Sequence, residues 1–264
     1  MQPPTSEGFT MRLATQLVAE AEKIVAFTGA GISAESGIPT YRDADDSLWS
    51  RYDPSKFADI DYFMRDSTLF WEFFRDVRYQ AIHTALPNPG HLALAAMEQT
   101  GRLRGVITQN IDGLHQEAGC RTVVELHGNT RVIGCLNCSA DYTMDEVRAQ
   151  LVKQLPPPCP ACGGRLKPRV VFFGEMLPEA ALERAAEFTH DCDLLLAIGS
   201  SLQVYPAAAF PERAKSRGAR LIIINKTPTA YDGLADAVLR EPAGSVLPHL
   251  AETVERHCNE RNME

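Results

Sequence analysis

Nowhere in its 264 residues does the sequence carry an apolar run approaching the ~18 residues of a membrane span, so no membrane partner is expected. Basic side chains are in deficit. Lys and Arg total 26 against 34 Asp and Glu, giving a formal net charge of −8. A surface of that sign argues against broad or sequence-specific nucleic-acid binding, which needs a basic footprint. The first residues, Met1-Gln2-Pro3-Pro4-Thr5-Ser6-Glu7-Gly8, have neither the basic nor the apolar region of a signal peptide. They read as a short leader, and a cytoplasmic location is expected. Internal repeats and low-complexity tracts are also missing. Seven cysteines, an odd number, do not suggest a disulfide framework.

What is present is ordinary in bulk. With 45% apolar and 23% charged residues, the chain has the composition of a globular protein of one large domain, or a large and a small one. Short apolar runs alternate with helical patterns, which predicts an α/β fold with a mostly parallel sheet. Leu13, Leu17, Val18 and Ala21 recur at helical spacing, and Ile24-Val25-Ala26-Phe27 then reads as a strand buried on both faces. Further strand-like runs lie at Leu103 to Thr108, Val123 to Leu126, Val170 to Phe173, Leu194 to Ile198 and Leu221 to Ile224. Proline near a start and glycine past an end punctuate the helical segments Leu92 to Gln99, Pro178 to Phe188 and Pro206 to Arg217. Two stretches break the rhythm: Tyr41 to Pro89, with a helical patch around Phe70 to Tyr79, and Gly128 to Pro168.

The second stretch holds Cys135 and Cys138, then Cys159 and Cys162, with twenty residues between the pairs. Four thiolates can close a tetrahedral shell around zinc, and a two-residue gap lets one tight turn present two sulfurs to one ion. A closed shell has no open position for substrate, so the predicted role is structural. Cys120, Cys192 and Cys258 have no partner at ligand spacing.

Gly29-Ala30-Gly31-Ile32-Ser33 follows directly on the first strand, where glycines let backbone N–H groups approach a phosphate. The third glycine of the dinucleotide fingerprint is missing, as is the ribose-binding acid about 20 residues on, which disfavours a hydride-transferring dehydrogenase. Thr108-Gln109-Asn110-Ile111-Asp112-Gly113-Leu114-His115 puts amides and a carboxylate at the carboxyl end of a strand. That is the edge where open α/β sheets bind ligands, although a polar turn has the same composition. Glu125-Leu126-His127-Gly128 delivers His127 to the same edge, where a neutral imidazole can act as general base.

Together these motifs resemble the sirtuins. The matching pieces run in order from Gly29–Ser33 with Ser36-Gly37-Ile38-Pro39, through Thr108–His115, Leu126-His127-Gly128 and the four cysteines. Val171-Phe172-Phe173-Gly174-Glu175, Gly199-Ser200-Ser201-Leu202 and Ile224-Asn225 complete the series. The resemblance implies a Rossmann-like large domain of residues 1–40, 90–127 and 169–264. It also implies a small lobe built from a cofactor loop and helical insertion, 41–89, and a zinc-ribbon module, 128–168. NAD, consumed as co-substrate, would lie between them. By similarity, Gly29, Ala30, Gly31, Ser33, Tyr41 and Arg42 form the cofactor loop, with Arg42 near the phosphates. Gln109 and Asn110 would meet the nicotinamide ribose, and Ile111 and Asp112 the nicotinamide amide. Gly199, Ser200 and Asn225 would hold the adenosine half, with Val246 near the adenine. Val171 to Glu175 (Val171, Phe173, Gly174 and Glu175) and Ser201 to Tyr205 (Ser201 and Val204 among them) would pair with the substrate peptide as added strand edges.

The implied reaction is NAD-dependent removal of an acyl group from a protein lysine. The acyl oxygen attacks the ribose carbon bearing nicotinamide, and His127, with Asn110 beside it, serves as general base on a ribose hydroxyl. Nicotinamide, free lysine and an O-acyl-ADP-ribose are the products. Family members that prefer acidic acyl groups carry Tyr and Arg three residues apart on the helical insertion. The corresponding residues here are Phe74 and Val77, and an α-helix would turn Arg78 about 100° away. An apolar tunnel favouring acetyl or another neutral acyl group is therefore expected. Two rivals use the same NAD residues: protein ADP-ribosylation and a non-catalytic NAD-binding regulator.

Overall fold

The computed structural model describes residues 6–41 and 48–261. Its main sheet has six parallel strands: β1 (Ile24–Thr28), β2 (Leu103–Thr108), β3 (Val123–Glu125), β7 (Leu194–Ile198), β8 (Arg220–Ile224) and β9 (Ala237–Leu239). They lie in the order β3-β2-β1-β7-β8-β9. Counted along this sheet alone, the order is 3-2-1-4-5-6, that of a Rossmann-like doubly wound sheet whose ligand crevice opens where the winding reverses. Here the reversal falls between β1 and β7.

All five residues of β1 are buried. Ile24 and Ala26 face a core with Val18, Leu94, Val246 and Leu250, from the helices Ser6–Glu20, Pro89–Gln99 and Ala243–Arg261. Val25 and Phe27 face a second core with Ala185, Phe210 and Ala214, from Glu179–Asp191 and Ala209–Ser216. The period-two alternation of the strand thus distributes its apolar residues to two helical layers, as an unbroken apolar run requires.

A second sheet is antiparallel, with β4 (Gly128–Cys135) between β5 (Asp141–Thr143) and β6 (Leu166–Val170). The helix Met144–Lys153 closes it, opened by a reciprocal cap between Thr143 and Glu146. This ribbon and the helical insertion share one core. Phe63, Phe70, Trp71 and Phe74 pack with Ile133, Val147, Leu151, Val170 and Phe172.

One strand expectation is corrected. The run Val170 to Phe173 is not a strand of the parallel series. β6 ends at Val170, antiparallel to β4, and residues 171–175 fold as a turn. β9 and the helix Ala243–Arg261 were not anticipated. No helix among the described residues is long and apolar enough to cross a membrane.

Candidate active site

At the winding reversal the turns after β1 and β7 interlock. Gly31 N–H donates to the Gly199 carbonyl (2.8 Å), and Gly29 N–H to the Ile198 carbonyl (3.0 Å). A Cβ on Gly31 would stand 2.7 Å from Gly199 Cα, and Gly199 itself holds φ +59° with Ile32 N 2.3 Å from where its Cβ would be. Only glycine permits this approach. It opens onto a cavity of about 960 Å³ between the main sheet and the small lobe, within the size range of small-molecule sites.

The cavity gathers most of the residues singled out from the sequence. Gly29, Ala30, Gly31, Tyr41, Gln109, Asn110, Ile111, His127, Gly199, Ser200 and Asn225 line it, as do Val171, Phe173, Gly174, Glu175, Ser201 and Val204. Ser33 and Asp112 stand behind the wall. Ser33 is fully buried; its hydroxyl donates to Asp112 Oδ2 (2.8 Å) and accepts from Asn110 Nδ2 (3.1 Å). The same amide nitrogen reaches the Gly29 carbonyl (3.1 Å), so the Asn110 side chain ties β2 to the glycine turn. Gln109 Nε2 donates to Ser200 Oγ (2.8 Å), bridging to the β7 turn. Arg42 lies outside the described residues. Val246, expected near the adenine, does not line the cavity; its side chain is fully buried in the core with Ile24 and Leu250.

His127 sits just past β3, half-buried in the cavity wall. Its Nδ1 is 2.9 Å from the Gln109 carbonyl. A carbonyl can only accept, so Nδ1 carries the hydrogen and Nε2 keeps its lone pair. Burial holds its pKa below the usual 6.5, against the opposing pull of the Gln109 carbonyl. The imidazole is therefore neutral near pH 7, with an unprotonated nitrogen available as base.

Two further histidines, unassigned from the sequence, support the floor. Thr28 Oγ1 donates to Thr108 Oγ1 (2.8 Å) and lies 2.9 Å from His115 Nε2. His91 accepts the Asn88 N–H at Nδ1 (3.3 Å) and approaches Ser33 Oγ with Nε2 (3.4 Å). Burial pushes the pKa of His91 down to about 4 and that of His115 to about 3. Their signal in the sequence was only a histidine beside a polar turn; their partners come from distant segments.

On the small-lobe side, Phe70, Phe73, Phe74 and Phe172 make the wall apolar. Arg78 lines it too, which corrects the expectation that it turns away. Residues Phe74–Arg78 form a π turn. Phe74 and Arg78 both line the cavity; a spacing of four places them on one helical face, so the step of about 100° from Val77 does not carry Arg78 off it. Arg78 Nη2 donates to Tyr41 OH (2.7 Å), with the guanidinium 5.0 Å over the Tyr41 ring. Its Nη1 is buried without a hydrogen-bond partner among the described residues.

The segment 171–175 is less free than a strand edge. The N–H groups of Val171, Phe172, Phe173 and Glu175 donate to the His127 carbonyl, the Glu175 carboxylate, the Ala58 carbonyl and the Phe172 carbonyl. Phe173 also accepts from Ile60 N–H (3.0 Å). Val171 and Gly174, the latter at φ +88°, line the cavity.

The four cysteines converge as their spacing predicts. Their sulfurs all lie within 4.8 Å of one another, with Cys135–Cys162 at 3.6 Å and Cys138–Cys159 at 3.8 Å. A tetrahedron with metal–sulfur bonds of about 2.3 Å has edges of about 3.8 Å, so the donor set fits zinc. N–H groups of Asn137, Cys138 and Gly164 point at the sulfurs (3.3–3.4 Å), as suits thiolates.

The Sir2 family model matches residues 29–206. A Pyrobaculum aerophilum protein named NAD-dependent protein deacylase 2 is 47% identical over 245 residues, 93% of this chain and 96% of its own. An Archaeoglobus fulgidus protein of the same name is 46% identical over 252 residues, 95% and 98%. A Sir2 structure with a deacetylated peptide and 3′-O-acetyl ADP ribose superposes with TM-score 0.87 at 36% identity, covering 92% of this chain and 97% of that one. A second, bound to a myristoylated histone peptide, gives TM-score 0.80 at 40% identity, covering 97% and 99%.

Proposed function

This chain belongs to the Sir2 family, the sirtuins, and from that membership we propose that it is an NAD-dependent protein lysine deacylase. The observation that carries the reading is His127. Its Nε2 keeps its lone pair, with no hydrogen-bond partner among the described residues, in a cavity where the glycine turns of β1 and β7 meet the polar end of β2.

NAD, as co-substrate, supplies a glycosidic bond whose leaving group is nicotinamide. The chain supplies the rest. The interlocked turns at Gly29–Gly31 and Gly199–Ser200 present backbone close to the pyrophosphate and adenosine side. Asn110 and Asp112, locked through Ser33, hold the nicotinamide end, with Ile111 beside them. The Val171 carbonyl accepts the N–H of the acylated lysine, which orients the acyl oxygen toward the ribose. Orientation of this kind replaces a bimolecular encounter. His127 Nε2 then takes the proton of a ribose hydroxyl. The four cysteines would hold one zinc ion, which would supply a structural cross-link for the small lobe rather than chemistry.

The phenylalanine wall supports neutral acyl groups, acetyl first, and Arg78 is engaged by Tyr41. Acylated lysines on other proteins are the substrates, and a reducing compartment, the cytoplasm, suits four zinc-binding thiols. Transfer of ADP-ribose to a protein side chain would use the same NAD contacts; the available His127 base favours deacylation. Nicotinamide release that depends on an acyl-lysine peptide tests the assignment.

A further inference from the structure

Lys167 is a charged side chain only 7% exposed, on the last strand before the substrate turn. Its Nζ donates to the Val170 carbonyl (2.6 Å) and to Glu175 Oε2 (2.8 Å), and stands 4.2 Å from the centre of the Phe172 ring. The same Glu175 oxygen accepts the Phe172 N–H (2.7 Å). One ammonium and one carboxylate thus fasten both ends of the turn and its middle. Glu175, expected from the sequence as part of a peptide-pairing edge, turns its side chain inward to do so.

We propose that Lys167 and Glu175 are positioning residues for the acylated substrate: their pair sets the Val171 carbonyl and the Phe172 ring against the incoming acyl-lysine. The inference rests on the deacylase reading. Phe172 links the pair to the acyl wall, packing against Phe70 (5.0 Å) and Phe63 (5.3 Å). The NAD-facing turns at Gly29–Gly31 and Gly199–Ser200 belong to the main sheet, away from the pair. A buried ion pair often adds little net stability over an apolar replacement but fixes geometry. Its loss should therefore show in substrate recognition before it shows in melting temperature.

The experiment compares wild type with Lys167→Met, Lys167→Arg and Glu175→Gln, measuring KM for an acetyl-lysine peptide, KM for NAD, kcat, melting temperature and zinc content. Lys167→Met and Glu175→Gln should raise the peptide KM by about 10-fold or more, a loss of about 1.4 kcal/mol in recognition. NAD KM should stay within about two-fold, and Lys167→Arg should recover most of the affinity by keeping the charge and donors. If Lys167→Met fails to fold, Glu175→Gln carries the test on the same criterion. Peptide KM unchanged in folded variants, or peptide and NAD KM rising together, would overturn the positioning role while leaving the deacylase reading intact. A wild type that turns over no acyl-peptide would overturn both.

Discussion

The Gln109 carbonyl accepts the Nδ1 hydrogen of His127 at 2.9 Å. That single bond fixes the tautomer of the imidazole, and with it which nitrogen can act as base. Replacing His127 by Ala removes the base without touching the glycine turns. NAD affinity should persist while peptide deacylation falls by about 10²–10⁴-fold, the usual contribution of a positioned base. Calorimetric NAD titration beside steady-state rates checks this, and turnover near wild type would contradict the role.

Burial lowers the pKa of His127 below 6.5, so its basic form persists into mild acid. A general base must be unprotonated. The rate should therefore hold as pH falls from 8 to 6.5 and decline only below that, with an acid limb in kcat/KM whose midpoint lies under 6.5. A limb centred above 7 would show that another group controls the step.

His91 and His115 link the fold to pH in the same direction. Their folded-state pKa values, about 4 and about 3, lie below the ordinary 6.5. Below pH 6.5 the unfolded chain takes up protons that the folded protein refuses, so stability is full above 6.5 and declines as pH falls toward 4 and then 3. Each histidine contributes a slope of up to about 1.4 kcal/mol per pH unit in that window. Denaturant unfolding at pH 7.0, 6.0 and 5.0 reads the slope. His115→Gln should flatten it, and an unchanged slope in that variant would assign it to other groups.

Cys135 and Cys159 are buried in the aromatic core that the zinc ribbon shares with the helical insertion. Metal loss should therefore disturb the substrate wall although no cysteine lines it. Elemental analysis should find one zinc per chain, and Cys135→Ser or Cys159→Ser should lose both the metal and peptide turnover. Full activity in metal-free protein would refute the structural assignment.

Features whose chemistry is local were legible in the sequence. Two cysteine pairs at a fixed gap, a glycine turn after an apolar run and a polar strand end each carry their meaning within a few residues. The structure brings the glycine turn and the polar strand end together at one crevice because the strand order reverses there, and keeps the cysteines in the small lobe beside it. Other features depended on tertiary partners. Val170 to Phe173 has the composition of a strand, yet Phe172 is claimed by Phe63 and Phe70, and the Phe173 backbone pairs with Ala58 and Ile60. Arg78 was misplaced because its angle was taken from Val77 alone; four residues from Phe74 it shares that residue's face of the helix. Nothing local in the sequence marks Lys167; its depth and its pairing with Glu175 come from the fold.

The most direct measurement of the central claim is a product balance with an acyl-lysine peptide panel and NAD, followed by mass spectrometry and nicotinamide quantification. Nicotinamide, deacylated peptide and O-acyl-ADP-ribose should appear in equal amounts, with acetyl and other neutral acyl peptides turned over faster than succinyl. Succinyl preference would contradict the neutral-acyl reading and give the unpartnered Arg78 nitrogen its ligand. ADP-ribose attached to intact acyl-peptide, or nicotinamide released without deacylation, would contradict the deacylase itself.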